Sequence, residues 1–243
     1  MSRTLSTKLL IAAISVSLLA AACGGDESTS TVDPTTAATI ETTVDEATET
    51  EAESAAAPAI DTPAALLTRD LTYLLDEHEY LAGAAVLTAV QAGGDLDDGT
   101  FKAAAGALDA NSVALSEAVA GIYGEAAGEQ FLDLWRAHIG FFVDYTLGQA
   151  TGDKNMAAQA SKKLDGYRAD FGAFIEGATE GGLPASAVAD ALDPHVKATE
   201  DAIDSVVAAD GKAFDKLRAA TTHMPGIASA LAGVIVQQFP QKL

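Results

Sequence analysis

Four histidines stand in this chain of 243 residues, at His78, His138, His195 and His223, and their spacing is not random. The first three are separated by 60 and 57 residues, while Asn111, Tyr167 and His223 form a second series separated by 56 and 56. Imidazole is a neutral nitrogen ligand at physiological pH, so four such side chains on facing elements could hold zinc or copper in a tetrahedral or tetragonal set. Asn111 and Tyr167 would then be hydrogen-bonding partners that orient the ligands. The alternative is structural. A buried polar group without a partner costs roughly 1 to 3 kcal/mol, and each histidine could instead be a satisfied core residue bonded to Asn111, Tyr167 or a carbonyl. Met224 is either a soft copper ligand or core packing, and Glu77, Glu79 and Asp144 flank the histidines but point off their stripes. Haem is disfavoured by the absence of CxxCH and by the 6% aromatic content.

The elements that would position these residues are helical. Thr62-Pro63 reads as an N-cap followed by proline at the first helical position. Behind it Leu67, Leu71, Leu74, His78, Leu81 and Ala85 alternate by 4 and 3. Comparable seams run through Phe101, Leu108, Asn111 and Leu115; through Phe131, Trp135, His138, Phe142 and Tyr145; and through Ala160, Leu164, Tyr167 and Phe171. A fifth carries Val188, Leu192, His195, Thr199 and Ala202 with Pro194 inside it, and a sixth carries Leu217, Ala220, His223 and Ile227 with Pro225 inside it. Gly/Asp turns separate the members of each pair and no window shows a period-2 strand pattern. The expected fold is therefore all-α, a six-helix antiparallel bundle of three αα-hairpin repeats over residues 63–243. The aromatic residues of the third helix, Trp135, Phe141, Phe142 and Tyr145, read as core. In each hairpin a histidine on the odd helix faces Asn111, Tyr167 or His223 on the even one. Whether the three pairs share one axis is not encoded in periodicity.

The N-terminus carries an address. Arg3 and Lys8 precede the apolar run Leu9–Ala22, which spans roughly 21 Å as a helix, short of the ~30 Å hydrocarbon core of a bilayer. The run Leu19-Ala20-Ala21-Ala22-Cys23-Gly24 resembles a bacterial lipoprotein signal. The resemblance implies removal of residues 1–22, lipidation of Cys23 with acyl chains such as palmitate, and anchorage on the extracytoplasmic side of the cell membrane. Residues 24–62 hold ten acidic side chains and no Lys or Arg, a composition expected to form a charged, disordered linker. Net charge is −21 overall, and residues 63–243 have 25 acidic against 12 basic side chains. That balance excludes nucleic acid as a partner. The single cysteine excludes an intrachain disulfide, and no nucleophile elbow, zinc-protease helix or phosphate loop is present, so no enzyme activity is expected.

The runs Leu108-Asp109-Ala110-Asn111-Ser112, Trp135-Arg136-Ala137-His138-Ile139-Gly140-Phe141-Phe142-Val143-Asp144-Tyr145 and His223-Met224 resemble a group of secreted bacterial helical proteins labelled copper amine oxidase-related. The chain has neither the Asn-Tyr-Asp/Glu nor the His-x-His motif of true copper amine oxidases, whose fold is β-rich. The resemblance thus favours copper as the ion and carries no implication of oxidase activity. Two functions are expected: a lipid-anchored metal-binding protein, or a structural or protein-interaction module whose polar layer fixes helix register.

Overall fold

The computed structural model describes residues 59–243. The signal segment, Cys23 and most of the acidic spacer lie outside them. A 3-10 turn, Ala59–Asp61, packs on the first helix, so the last residues assigned to the spacer belong to the domain edge. The helices are α1 (Pro63–Gln91), α2 (Gly99–Tyr123), α3 (Glu125–Thr151), α4 (Lys154–Ala178), α5 (Ala185–Ala208), α6 (Ala213–Thr221) and α7 (Met224–Gln238). No strand occurs among the described residues. The all-α hairpin bundle expected from the seams is the observed architecture.

Local chemistry sets the boundaries. The Thr62 hydroxyl accepts from Ala65 N at 3.2 Å, Asp98 from Thr100 N and Phe101 N at 2.8 and 3.0 Å, and Asp153 from Asn155 N and Met156 N at 3.1 and 3.0 Å. Each satisfies donors that the first helical turn leaves free. Gly152, at φ 75°, ends α3 in the left-handed conformation that glycine adopts without penalty. The sixth seam is interrupted as its proline foretold, and more completely than a kink. Thr222 and His223 separate α6 from α7, with Pro225 in the first turn of α7. Pro194, by contrast, is accommodated inside a continuous α5. Taken across the break, Ala213–Gln238 is long and apolar enough to cross a bilayer. Its Ala220, Met224, Ala228, Ala232 and Ile235 are nonetheless buried in the bundle.

From α1 to α6 each helix packs on its chain neighbours, and both α6 and α7 return to α1 to close the ring. Inside that ring α1, α3 and α5 also touch one another. The three odd helices therefore form an inner triangle, with α2, α4 and α6–α7 laid along its outer grooves. The main core joins Leu71, Leu75, Phe131, Trp135, Phe171 and Ile235. Close approach is bought by small residues at the turn ends. A Cβ built on Gly148 of α3 would meet Ala157 N at 2.5 Å and Ala157 Cα at 3.0 Å. Gly148→Ala is expected to lower stability by about 1 to 3 kcal/mol, because backbone must move apart. Gly166→Ala, on an exposed helical site with open space around it, is expected to raise stability by about 0.5 to 1 kcal/mol. Denaturant midpoints of the two variants check the opposite signs.

Candidate metal centre

The inner triangle decides the question that periodicity leaves open. His78 on α1, His138 on α3 and His195 on α5 are 3%, 4% and 7% exposed and line the same two internal cavities, of about 80 and about 40 Å³. The His78 and His138 ring centroids are 5.4 Å apart. Trp135 lies between them and the core, its centroid 4.8 Å from His78 and 4.6 Å from His138.

Their even-helix partners behave differently from expectation. Asn111 does face α1, but its amide donates to the Leu74 carbonyl at 3.0 Å and to Glu77 Oε2 at 2.9 Å, locking α2 to α1 through Glu77. Tyr167 stacks on His138, centroids 4.7 Å apart and 21° between planes, while its buried hydroxyl has no hydrogen-bond partner among the described residues. It positions that ring by packing and not by a hydrogen bond. His223 lies in the α6–α7 break, is partly exposed, and is near enough to influence His195 electrostatically. It lines neither cavity. Met224 beside it is 3% exposed and belongs to the main core, as the packing reading held.

The residue that sequence reasoning misplaced is Glu79. Expected to point off the seam, it is 1% exposed. Its Oε1 accepts from Thr199 Oγ1 at 3.3 Å, and its Oε2 lies 3.8 Å from His195 Nε2. The reason is topological: α1 touches α2, α3, α5, α6 and α7, so its buried arc is wide enough to take in the position next to His78. A single seam drawn at 3.6 periodicity describes a helix packed on one side only.

Burial governs the electrostatics. It drives His78 down to about 3, helped by the charge of His195 and opposed by Asn111. His195 falls to about 4 through burial and then His223, with the Ala220 carbonyl opposing. His138 falls well below the usual imidazole range, through burial and then the charges of His78 and His195, with the Trp135 and Leu134 carbonyls opposing. Glu79 is pushed up to about 7 by burial, Thr199 opposing. All three imidazoles are therefore neutral at pH 7, and the His195–Glu79 contact, too long for a hydrogen bond, is not an ion pair there. The Nδ1 atom of each of the three is buried without a hydrogen-bond partner among the described residues. Neighbouring Asn111 and backbone oxygens oppose the shifts without closing well-formed bonds.

Three neutral nitrogen donors and one carboxyl at one level have the composition of a metal site. As they stand, however, no three His, Cys, Asp or Glu side chains among the described residues form a set that could hold an ion. The cavity of about 40 Å³ beside them, lined by His78, Glu79, His138, His195 and Thr199, exceeds the ~10–15 Å³ that one water needs. No protein-family model, curated protein or solved structure matches this chain.

Proposed function

We propose that the protein is a lipoprotein anchored through Cys23 on the extracytoplasmic side of the membrane, and that its helical domain binds one divalent metal ion, copper or zinc. His78, His138 and His195 are the principal ligands, and Glu79 supplies compensating negative charge. The observation that carries this reading is three histidines with orphaned Nδ1 atoms, one from each helix of the inner triangle, lining one small cavity together with a buried carboxyl. A site that leaves four titratable groups desolvated and mostly unpaired is under strain that an ion relieves. His223 is the remaining histidine and could reach the ion only through movement at the α6–α7 break. The Trp135–Tyr145 run, with its resemblance to copper-labelled proteins, adds weight to copper. Holding an ion calls for no catalytic group, so the reading includes no enzyme activity.

A second reading, a structural or protein-interaction module whose polar layer sets helix register, draws on Asn111. Its bonds to Leu74 and Glu77 are the kind that fix one helix against another. Calorimetric titration of Cu(II) and Zn(II) at neutral pH separates the two. The metal reading expects one-to-one binding that weakens at least a hundredfold in His138→Ala, weakens less in Glu79→Gln, and raises the melting temperature of the native chain reversibly with chelator. Ion at 100 times its Kd stabilises by about 2.7 kcal/mol. Only weak, multi-site heats, unchanged by His138→Ala, would leave the register module.

A further inference from the structure

The pseudo-threefold arrangement makes one region conspicuous by contrast. On α2, Phe101 and Leu108 are buried against the inner helices, and on α4 Ala157, Ala160 and Leu164 are buried in the same way. On α6 only Ala220 is. That helix has nine residues and ends at the Thr222–His223 break, so the third outer groove is not filled as the other two are. What remains is a groove of about 720 Å³ between α1, α5 and α6. Its walls include Val86 on α1, Ile203 and Val206 on α5, and Leu217 on α6, and Tyr80 and Phe214 stand 68% and 73% exposed along it. The volume falls in the ~300–1,000 Å³ range of small-molecule sites, and the lining follows their pattern of apolar walls with few polar groups.

Two of those polar groups are Glu79 and Thr199, which also line the small cavity beside the histidines. Glu79 is the only acidic side chain lining the groove; the only basic one, Arg218, is exposed on α6. No Lys or Arg forms an ion pair with Glu79 among the described residues, and its near neighbours are the Thr199 hydroxyl and His195. A buried carboxyl at the inner edge of an apolar groove favours a ligand that brings its own positive charge, and an anionic ligand would be repelled. The protein's net charge of −21 attracts cations towards the same opening.

We propose that this groove binds a small organic cation, a compact apolar body with one ammonium group, the head against Glu79 and the body between α1, α5 and α6. The groove shares Glu79 with the metal reading but needs neither an ion nor any movement of the histidines. Hexylammonium, hexanol and hexanoate are suitable probes, titrated calorimetrically into the full chain in the presence of EDTA. The expected result is saturable one-to-one binding of hexylammonium, at least tenfold tighter than hexanol, with hexanoate weakest. Glu79→Gln, which conserves shape, should bring hexylammonium down to the level of hexanol while leaving hexanol unchanged. Val206→Trp, on a partly exposed wall position, should weaken all three by filling the groove, with a native melting transition confirming the fold. Equal affinity for the three probes overturns the proposal, as does absence of saturable binding or a hexylammonium preference that survives both substitutions. The last would mark adsorption to the acidic surface. Because EDTA is present, hexylammonium binding in a chain that takes up no Cu(II) or Zn(II) would sink the metal centre and leave the groove standing.

Discussion

Between pH 6.5 and pH 4.5 the metal-free domain is expected to lose a substantial share of its stability, with proton uptake on unfolding traceable to His78, His138 and His195. The unfolded chain protonates each imidazole near 6.5, whereas the folded chain holds His78 at about 3, His195 at about 4 and His138 well below its ordinary value. A depressed folded pKa contributes no penalty above the unfolded value, and stability drains away as pH falls below it towards the folded value. At pH 4.5, about 2 units below the unfolded value, His78 and His195 together cost roughly 5 kcal/mol, and His138, held down by the same burial, adds to the loss in the same direction. Glu79 runs the other way. Its folded pKa is raised to about 7 from 4.5, so its stabilisation is complete below 4.5 and is lost as pH rises through 7. Acidifying from 7 to 4.5 therefore returns about 3 kcal/mol through Glu79. The net loss is about 2 kcal/mol before His138 is counted and larger with it, a substantial share of the stability of a small domain, and it falls above the range where surface carboxylates titrate. Guanidinium midpoints at half-unit pH steps would show it. His195→Gln should flatten the acid limb, and Glu79→Gln should steepen it by removing the stability that Glu79 returns between pH 7 and 4.5. A midpoint constant between pH 7 and 5 would mean the imidazoles are not desolvated in solution.

How much of this was legible in advance depended on which side of a helix was being read. Heptad-like seams located α1 to α5 because each buries a continuous stripe, and located α6 and α7 as one interrupted seam, while Gly/Asp turns marked most of the ends. The separations of 60 and 57 residues also paired His78, His138 and His195, since equivalent positions in repeated hairpins stand at equivalent heights. Convergence was a different matter. It follows from α1, α3 and α5 touching inside the ring, which is a long-range fact that no local period encodes. The same fact hid Glu79, because an inner helix is enclosed on several sides and its polar positions are not automatically solvent-facing. Asn111 and Tyr167 were correctly drawn towards the odd helices, and Asn111 does act on His78 as a hydrogen-bonding neighbour, but each also makes contacts that spacing did not foretell. The amide found Glu77 and the Leu74 carbonyl, and the phenol found the face of His138. Side-chain rotamers decide such choices, and spacing alone carries no rotamer.

Trp135→Ala is expected to lower stability by about 3 to 5 kcal/mol, which for a domain of this size is a fall in melting temperature of roughly 8 to 16 °C. The indole is 7% exposed and stacks on Phe131 at 5.0 Å with 20° between planes; it also contacts Phe171 at 5.8 Å. Its other side meets His78 and His138, so it is the point where the hydrophobic core becomes the polar layer. Truncation would open a void continuous with the existing cavity of about 80 Å³, whose lining already includes this ring, and neighbours that are themselves aromatic cannot collapse to fill it. Trp135→Phe separates packing from polarity. Indole Nε1 has no hydrogen-bond partner among the described residues, so deleting that N–H removes an unsatisfied donor along with some volume, and the net loss should stay below about 1.5 kcal/mol. The smaller ring also gives His78 and His138 more freedom to turn towards a common ion. If those histidines are ligands, Trp135→Phe should therefore retain Cu(II) or Zn(II) affinity despite its lower melting temperature. Equal destabilisation by phenylalanine and alanine would instead show that the indole edge, and not the aromatic face, holds the layer together.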